Sequence, residues 1–262
     1  YNDQTGQSAC TDCGAGKYND EVGKKASTAC KVCPTGYGAV ARSAECIPFT
    51  PADRNSLKAQ VDACVDETPS GACTTHALVY GHISYWDVSK VDSMTDMFKD
   101  LSSFNQPLND WDVSGVTTMY DMFRSASVFN QPLNSWDVSN VINMYTMFHS
   151  AKQFNRPLNS WDVSNVLNMG YMFKNASSFD NPLNSWNVGK VSNMQSMFYN
   201  ASAFNQDLSN WDVSNVQTMQ YMFKLASSFD KSLMMWDVRR VTNMKSMFYG
   251  ASAFNQYLGT WH

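Results

Sequence analysis

Apolar residues repeat with a fixed period of 25 residues over most of the chain. Each unit reads approximately Trp-Asp-Val-Ser-x-Val-x-x-Met-x-x-Met-Phe-x-x-Ala-x-x-Phe-Asn-x-Pro-Leu-x-x, and seven complete units occupy residues 86–260. A period of this length indicates a solenoid, in which each unit buries its apolar side chains against its neighbours. We therefore expect the tryptophans to lie in the core. They are Trp86, Trp111, Trp136, Trp161, Trp186, Trp211, Trp236 and Trp261.

Two shorter periods within a unit predict its secondary structure. Trp111 and Val113 flank Asp112, an alternation that favours a short strand with one inward face. From Met119 to Phe129 the apolar residues recur every three or four positions, which favours a short helix with Thr118 as its N-cap. The sequence thus predicts an α/β solenoid that is leucine-rich-repeat-like, with one short parallel strand and one short helix per repeat.

The methionines of each unit form a Met-x2-Met pair, beginning with Met94 and Met97. Thioethers at this spacing are potential Cu(I) ligands. Two columns of phenylalanine accompany them, and methionine commonly fills gaps beside aromatic rings. This pattern favours core packing over a copper site.

Residues 47–83 do not follow the repeat. The run from Pro51 to Asp66 predicts a helix with Leu57, Val61 and Cys64 on one face and polar residues on the other. We expect residues 47–83 to form a helical N-terminal cap, residues 84–262 to form the solenoid, and residues 1–46 to form a separate cysteine-rich segment. No comparable polar cap follows Trp261, which predicts that the natural protein continues beyond it.

All seven cysteines lie within the first 73 residues. The pairs Cys10-x2-Cys13 and Cys30-x2-Cys33 have the spacing of a zinc ribbon, but each pair leads through polar residues, a glycine and a tyrosine to a further cysteine. This tandem arrangement favours disulfides, which persist in an oxidising compartment. The predicted pairs are Cys13–Cys30, Cys33–Cys46 and Cys64–Cys73, with Cys10 bound to a cysteine outside this sequence.

Two resemblances follow from these motifs. Residues 1–46, through Cys-x2-Cys-x2-Gly and tyrosine, resemble the short cysteine-rich repeats of growth-factor, ephrin and tumour-necrosis-factor receptor ectodomains. The 25-residue unit resembles the repeats of BspA-like leucine-rich repeat surface proteins, which are also abundant among mycoplasma surface lipoproteins. The second resemblance implies a cell-surface setting and a role in adhesion or recognition, and it supplies no catalytic residues.

Charge and composition narrow the possible partners. The net charge of −4 and the pI near 5.5 provide no basic field for a nucleic acid or an anionic membrane. No apolar stretch reaches the roughly 18 residues that a membrane-spanning helix needs. The histidines at 76, 82, 149 and 262 are scattered, so we expect no enzyme and no cofactor.

An aspartate follows the tryptophan in every complete repeat except the one with Asn187. If these side chains point outward at strand spacing, the carboxylates repel one another. Hydrogen bonds from nearby backbone N–H groups or from the following serine are one compensation. A row of weak calcium sites, at Asp112, Asp137 and Asp162, is the alternative. Asn175 and Asn200 begin Asn-Ala-Ser sequons and are candidate glycosylation sites.

These observations predict an extracellular adhesion or recognition module that binds a protein or a glycan through its repeats. The alternative is a structural stalk or filament component that associates with itself. Little variation at positions 110, 112 and 114 and their equivalents favours the alternative. Ice binding by a flat repeating face is a further possibility, but the predicted strand has no threonine ladder.

Overall fold

The computed structural model describes residues 49–261 and two short strands nearer the N terminus. Strands β1 (Lys17–Tyr18) and β2 (Lys31–Val32) pair antiparallel, with Lys17 opposite Val32. Three of the four cysteine predictions, those for Cys10, Cys13–Cys30 and Cys33–Cys46, lie outside the described residues.

The helix predicted before the first repeat forms as α1 (Arg54–Glu67). Its N-cap is Asp53, whose carboxylate accepts the backbone N–H of Ser56 at 2.8 Å, while the Ser56 hydroxyl accepts the N–H of Asp53 at 3.0 Å. This reciprocal capping box satisfies two N–H groups that a helix terminus otherwise leaves free. The buried face of α1 contains Leu57, Val61, Cys64 and Val65.

A second helix, α2 (Thr74–Tyr80), and a 3₁₀ turn at Ile83–Tyr85 lead into the first repeat. Cys64 of α1 and Cys73 at the start of α2 form a disulfide. Neither helix, nor any other in the described ranges, has the length and apolarity needed to cross a bilayer.

Residues 49–85 pack directly on the first repeat. The Arg54 guanidinium donates to the Thr95 carbonyl at 3.0 and 2.7 Å, and the Phe49 ring meets Trp86 edge-on with centroids 5.2 Å apart. Gly71 has a φ of +81°, and a Cβ there would lie 2.6 Å from the ring of Phe104, so a side chain would clash with the first repeat. The helices and the repeats consequently share one apolar core.

Successive repeats stack on one another in register. Parallel bridges join residues 25 positions apart, from Ser93–Thr118 to Thr218–Asn243. The indole N–H of Trp136 donates to the carbonyl of Leu108, 28 residues earlier, at 2.8 Å, and every later tryptophan makes the equivalent bond. The prediction of a tryptophan core is confirmed, because the indoles from 86 to 236 are at most 4% exposed.

The predicted α/β leucine-rich-repeat-like solenoid is wrong, because residues 86–261 contain neither a regular strand nor a helix. Where a strand was expected at Trp111–Val113, the chain turns: the Ser114 N–H bonds the Asp112 carboxylate at 3.0 Å and the Val116 N–H bonds the Val113 carbonyl at 2.9 Å. These local bonds replace the ladder that a parallel strand requires.

Left-handed residues explain why the predicted helix from Met119 to Phe129 does not form. Asp121 and Ser125 have φ values of 54° and 59°, and equivalent residues in all the repeats also have positive φ. L-residues do not continue a right-handed helix in this conformation. The spacing of three and four comes instead from turns such as the one closed by the Met122 N–H on the Met119 carbonyl, at 3.2 Å.

Backbone N–H groups in this segment alternate between two kinds of partner. Those of Met119, Asp121 and Phe123 donate to carbonyls of the next repeat at 2.9–3.1 Å, while Met122 and Arg124 donate within their own repeat. Each residue is therefore satisfied without regular secondary structure. The expected N-cap residue, Thr118, instead makes the parallel bridge to the neighbouring repeats.

An asparagine and aspartate ladder connects the repeats at a second place. The backbone N–H of Asn130 donates to Asn105 Oδ1 at 2.9 Å, and the same bond recurs along the stack. The recurring pairs are Asn155–Asn130, Asp180–Asn155, Asn205–Asp180, Asp230–Asn205 and Asn255–Asp230. Side-chain oxygens thus satisfy backbone donors in the turn after the second phenylalanine.

Candidate functional site

One outward face of the stack changes in chemistry from repeat to repeat. It consists of residues 95–96 and 99–100 and their equivalents every 25 residues, up to 245–246 and 249–250, and we call it the basic-aromatic face. Its basic members are Lys99, Arg124, His149, Lys174, Lys224 and Lys245, and its tyrosines are Tyr120, Tyr145, Tyr171, Tyr199, Tyr221 and Tyr249. The buried methionines and phenylalanines that alternate with these positions fix their outward direction.

Tyrosine rings form a row in the first half of this face. Tyr120 and Tyr145 stack with centroids 5.6 Å apart and an interplanar angle of 4°, and Tyr145 meets Tyr171 edge-on at 5.3 Å. Gly170 leaves room for this row, since a Cβ there would lie 3.0 Å from the Tyr145 ring. All three tyrosines are partly exposed, so parts of the rings remain accessible.

Lysine side chains lie over the tyrosines of the second half. The Lys174 ammonium is 5.2 Å from the Tyr171 centroid and 5.0 Å from that of Tyr199. Lys224 lies over the rings of Tyr199, Tyr221 and Tyr249 at 4.9–5.4 Å. These cation–π contacts hold the charges close to the aromatic surface.

A buried carboxylate organises the N-terminal part of the face. Asp121 is 1% exposed and accepts bonds from Lys99 at 3.0 Å, from Arg124 at 3.1 Å and from the Thr146 hydroxyl. Burial raises the pKa of this carboxyl, but the bonds from Thr146, Lys99 and Arg124 outweigh that effect and leave the pKa below its ordinary value. Asp121 is therefore charged at neutral pH and partly neutralises two cations.

His149 and Lys174 are the next two basic side chains, and neighbouring groups offset a positive charge on them less well. His149 Nδ1 and Arg124 Nε are buried and have no hydrogen-bond partner. Burial, together with the charges of Lys174 and Arg124, lowers the pKa of His149 to about 4. Burial and the charge of Arg124 also lower the pKa of Lys174, which forms no ion pair among the described residues. Positive charge is thus disfavoured at His149 and Lys174, whereas the bond to Asp121 raises the pKa of Arg124.

The aspartates singled out in the sequence lie at a different part of the surface. Asp112, Asp137 and Asp162 are exposed, and each accepts the N–H of the residue two positions later at 3.0 Å. Hydrogen bonds from Ser139 and Ser164 lower the pKa of Asp137 and Asp162, respectively. These bonds match the first explanation given for the aspartate column. Within residues 49–261 no three carboxylate, thiol or imidazole groups come together as metal ligands.

Both sequon asparagines lie on the basic-aromatic face. Asn175 is half-buried with φ of 58°, and its amide lies 3.4 Å from the Ser150 hydroxyl. The amide of Asn200 donates to Asn175 Oδ1 at 3.0 Å. A glycan on either nitrogen would replace one of these contacts between repeats.

Sequence reasoning missed this face. The repeat consensus emphasises constant residues, and the face occupies positions that the consensus leaves open. A comparison of the open positions would have shown basic and aromatic residues accumulating three and four places apart, as at Tyr120 and Arg124 or Tyr171 and Lys174.

The repeat region matches a known family. Residues 71–186 and 178–262 match the family described as "Mycoplasma protein of unknown function, DUF285". Together these matches cover well over half of the chain. No curated protein matches it.

Proposed function

We propose that this chain, which belongs to the DUF285 family of mycoplasma repeat proteins, is a non-enzymatic recognition module at the cell surface that binds an extracellular partner through the basic-aromatic face. The observation that carries this proposal is the contrast between a constant interior and a variable face. Stacking needs the same apolar residues in every repeat, but it does not need the outward side chains to differ.

The chemistry of the face supports binding. Tyrosine and arginine are enriched in binding interfaces, where they combine large contact areas with directed hydrogen bonds. Here the tyrosines are held by neighbouring rings and lysines, as in the Tyr120–Tyr145 stack and the Lys174–Tyr199 contact. Side chains ordered before binding lose less entropy when a partner arrives.

Two observations support an extracellular location. The disulfide between Cys64 and Cys73 is the kind of bond that persists in an oxidising compartment. The repeat sequence also resembles that of BspA-like surface proteins, although the α/β leucine-rich-repeat fold that this resemblance implied does not form.

A structural stalk or filament component is the second candidate. It is favoured by the near-uniform row of aspartates and serines away from the basic-aromatic face, where Asp112, Asp137 and Asp162 repeat the same local bonds. A row of identical surface groups suits lateral association of identical chains more than recognition of one partner.

Binding to arrayed extracellular-matrix proteins and glycans tests the proposal. The wild-type chain is compared with a Lys174→Gln/Lys224→Gln variant of the face and with a Lys152→Gln/Lys190→Gln control, which removes the same charge from exposed positions elsewhere. We expect retention on a restricted set of probes, lost in the face variant and kept in the control.

Equal retention of all three proteins, or retention on no probe, would contradict recognition through this face. Size-exclusion chromatography and electron microscopy of the same samples address the second candidate. Ordered polymers without probe binding would favour the stalk.

A further inference from the structure

We infer that the middle of the basic-aromatic face binds an acidic polysaccharide, with Arg124, His149 and Lys174 facing its carboxylate or sulfate groups and Tyr120, Tyr145 and Tyr171 supporting its sugar rings. This inference rests on the proposed function and specifies the class of ligand.

Charge complementarity is the first step of the argument. Three basic side chains occupy equivalent positions in consecutive repeats, and the nearest buried carboxylate, Asp121, already bonds Lys99, Arg124 and Thr146. Arg124 and Lys174 repel each other, and burial together with this repulsion lowers the pKa of Lys174. An anion placed between these two side chains would offset the repulsion and give a negative partner to Lys174, which forms no ion pair among the described residues.

The regular spacing of the site is the second step. Because equivalent residues lie on adjacent repeats, their backbones are separated by roughly 4.8 Å, the distance between bridged strands. A ligand that matches successive positions must carry its charges in a row. A polymer with acidic groups along its length meets this requirement, whereas one small anion contacts only part of the site.

The tyrosine row indicates a carbohydrate polymer. A tyrosine combines apolar C–H groups with a polar hydroxyl, which suits a sugar with its C–H groups and its hydroxyl rim. Because Tyr120 and Tyr145 stack on each other, a sugar would meet their ring edges and hydroxyls. Tyr120, Tyr145 and Tyr171 run along the same repeats as the basic residues, with centroid separations of 5.6 and 5.3 Å. Rings and charges are therefore available side by side over three repeats.

An acidic peptide fits the face less well. Peptides that bind in extended form gain much of their affinity from main-chain hydrogen bonds to a free strand edge. Here the N–H groups of Met119, Asp121 and Phe123 are already bonded to the next repeat. A peptide would have to rely on side chains alone.

A nucleic acid is also disfavoured by the surrounding charge. Asp96, Asp100 and Asp121 lie among the basic side chains, and the whole chain carries a net charge of −4. Binding to a phosphate backbone depends on a continuous basic surface. These carboxylates interrupt the basic side chains, so the face offers no continuous basic surface of that kind.

Calorimetric titration with heparin and hyaluronan oligosaccharides tests the inference, with neutral dextran as the uncharged probe. The two acidic probes separate sulfate from carboxylate recognition. We expect at least one of them to bind, and Lys174→Gln to weaken that binding about tenfold, as loss of a charged hydrogen bond implies. Lys174 makes no ion pair among the described residues, so the variant should fold normally.

Lys190→Gln is the matched control. Lys190 is exposed, lies outside the basic-aromatic face and, among the described residues, bonds the Asn165 side chain at 2.7 Å. Its replacement removes one positive charge and should leave affinity unchanged. An equal loss of affinity in Lys174→Gln and Lys190→Gln would show that only net charge matters, and it would overturn the proposed site.

A nuclear magnetic resonance titration of the histidines supplies a readout of position. His149 faces Lys174, Arg124, Asp121 and Asp100, and an added anion should raise its pKa from about 4 while leaving His76 and His82 in the cap unaffected. Binding without a change in the pKa of His149 would place the polysaccharide elsewhere.

The outcomes separate this inference from the proposed function. If neither acidic probe binds but the face variant loses another arrayed partner, the ligand class is wrong and the recognition face stands. If polyglutamate binds as tightly as the oligosaccharides with the same dependence on Lys174, an acidic peptide replaces the polysaccharide.

Discussion

Each repeat tryptophan both fills the core and joins two repeats. The Trp161 indole is 3% exposed, stacks on Trp136 and donates to the Leu133 carbonyl at 2.9 Å. We expect Trp161→Ala to lower the free energy of unfolding by about 3–5 kcal/mol through loss of this packing and hydrogen bond. Trp161→Phe should cost less, because it retains an aromatic ring. Thermal unfolding of both variants would measure these losses of stability. An unchanged melting temperature in Trp161→Ala would contradict the buried position of the indole.

Asp121 should make stability depend on pH. Its pKa is depressed in the folded chain, so the stabilisation from its bonds is present above the unfolded value near pH 4 and is lost as pH falls through the folded value. Since Lys99 and Arg124 are only half-buried, we expect Asp121→Asn to cost about 2 kcal/mol at pH 7. The difference from wild type should decrease as pH falls through the folded pKa of Asp121, because the carboxyl then loses its charge. Denaturant unfolding at pH 7 and at acidic pH measures this difference, with exposed Asp92→Asn as the control. If the free energies of unfolding of wild type and Asp121→Asn differed by the same amount at both pH values, the charged, bonded state of Asp121 would be contradicted.

At the scale of elements, left-handed turns replace helices in the repeats. Ser125 has φ of 59°, and its side chain forms no hydrogen bond to any other residue within 49–261. Glycine at this position should therefore be more stable than alanine by about 1 kcal/mol, because alanine retains the strain of the left-handed conformation. In the helix that the sequence predicted, the order would be reversed, with alanine more stable. Chemical denaturation of Ser125→Gly and Ser125→Ala decides between the left-handed turn and the helix.

The elements that sequence reasoning predicted correctly are those with ordinary local rules. Helix α1 (Arg54–Glu67) has an N-cap aspartate and apolar residues at helical spacing, and it forms. The repeat segments have the same apolar spacing, yet their N–H groups find carbonyls in the next repeat. Periodicity identifies which side chains are buried, but it does not distinguish a helix from three-residue turns that bury the same side. The asparagine and aspartate residues among the left-handed positions, such as Asp100 and Asn175, were the available indication of turns.

For the whole molecule, the repeat period predicted the stacking and the buried columns but not the candidate site. The period depends on core residues, which recur in every unit. The basic-aromatic face depends on residues that do not recur. Their proximity follows from the register of the stack, as with the rings of Tyr145 and Tyr171, which meet edge-on at 5.3 Å. Such a surface becomes evident once neighbouring repeats are placed side by side.

The stacked register is the claim on which the core, the ladder and the binding face all depend. Pulsed electron–electron double resonance between nitroxide labels at residues 117 and 242 measures the distance that this register sets. Both positions are exposed and occupy equivalent places five repeats apart. At roughly 4.8 Å per repeat, we predict a narrow distribution with a backbone separation of roughly 24 Å. A broad distribution at much longer distances would show repeats folding as separate units and would contradict the stack.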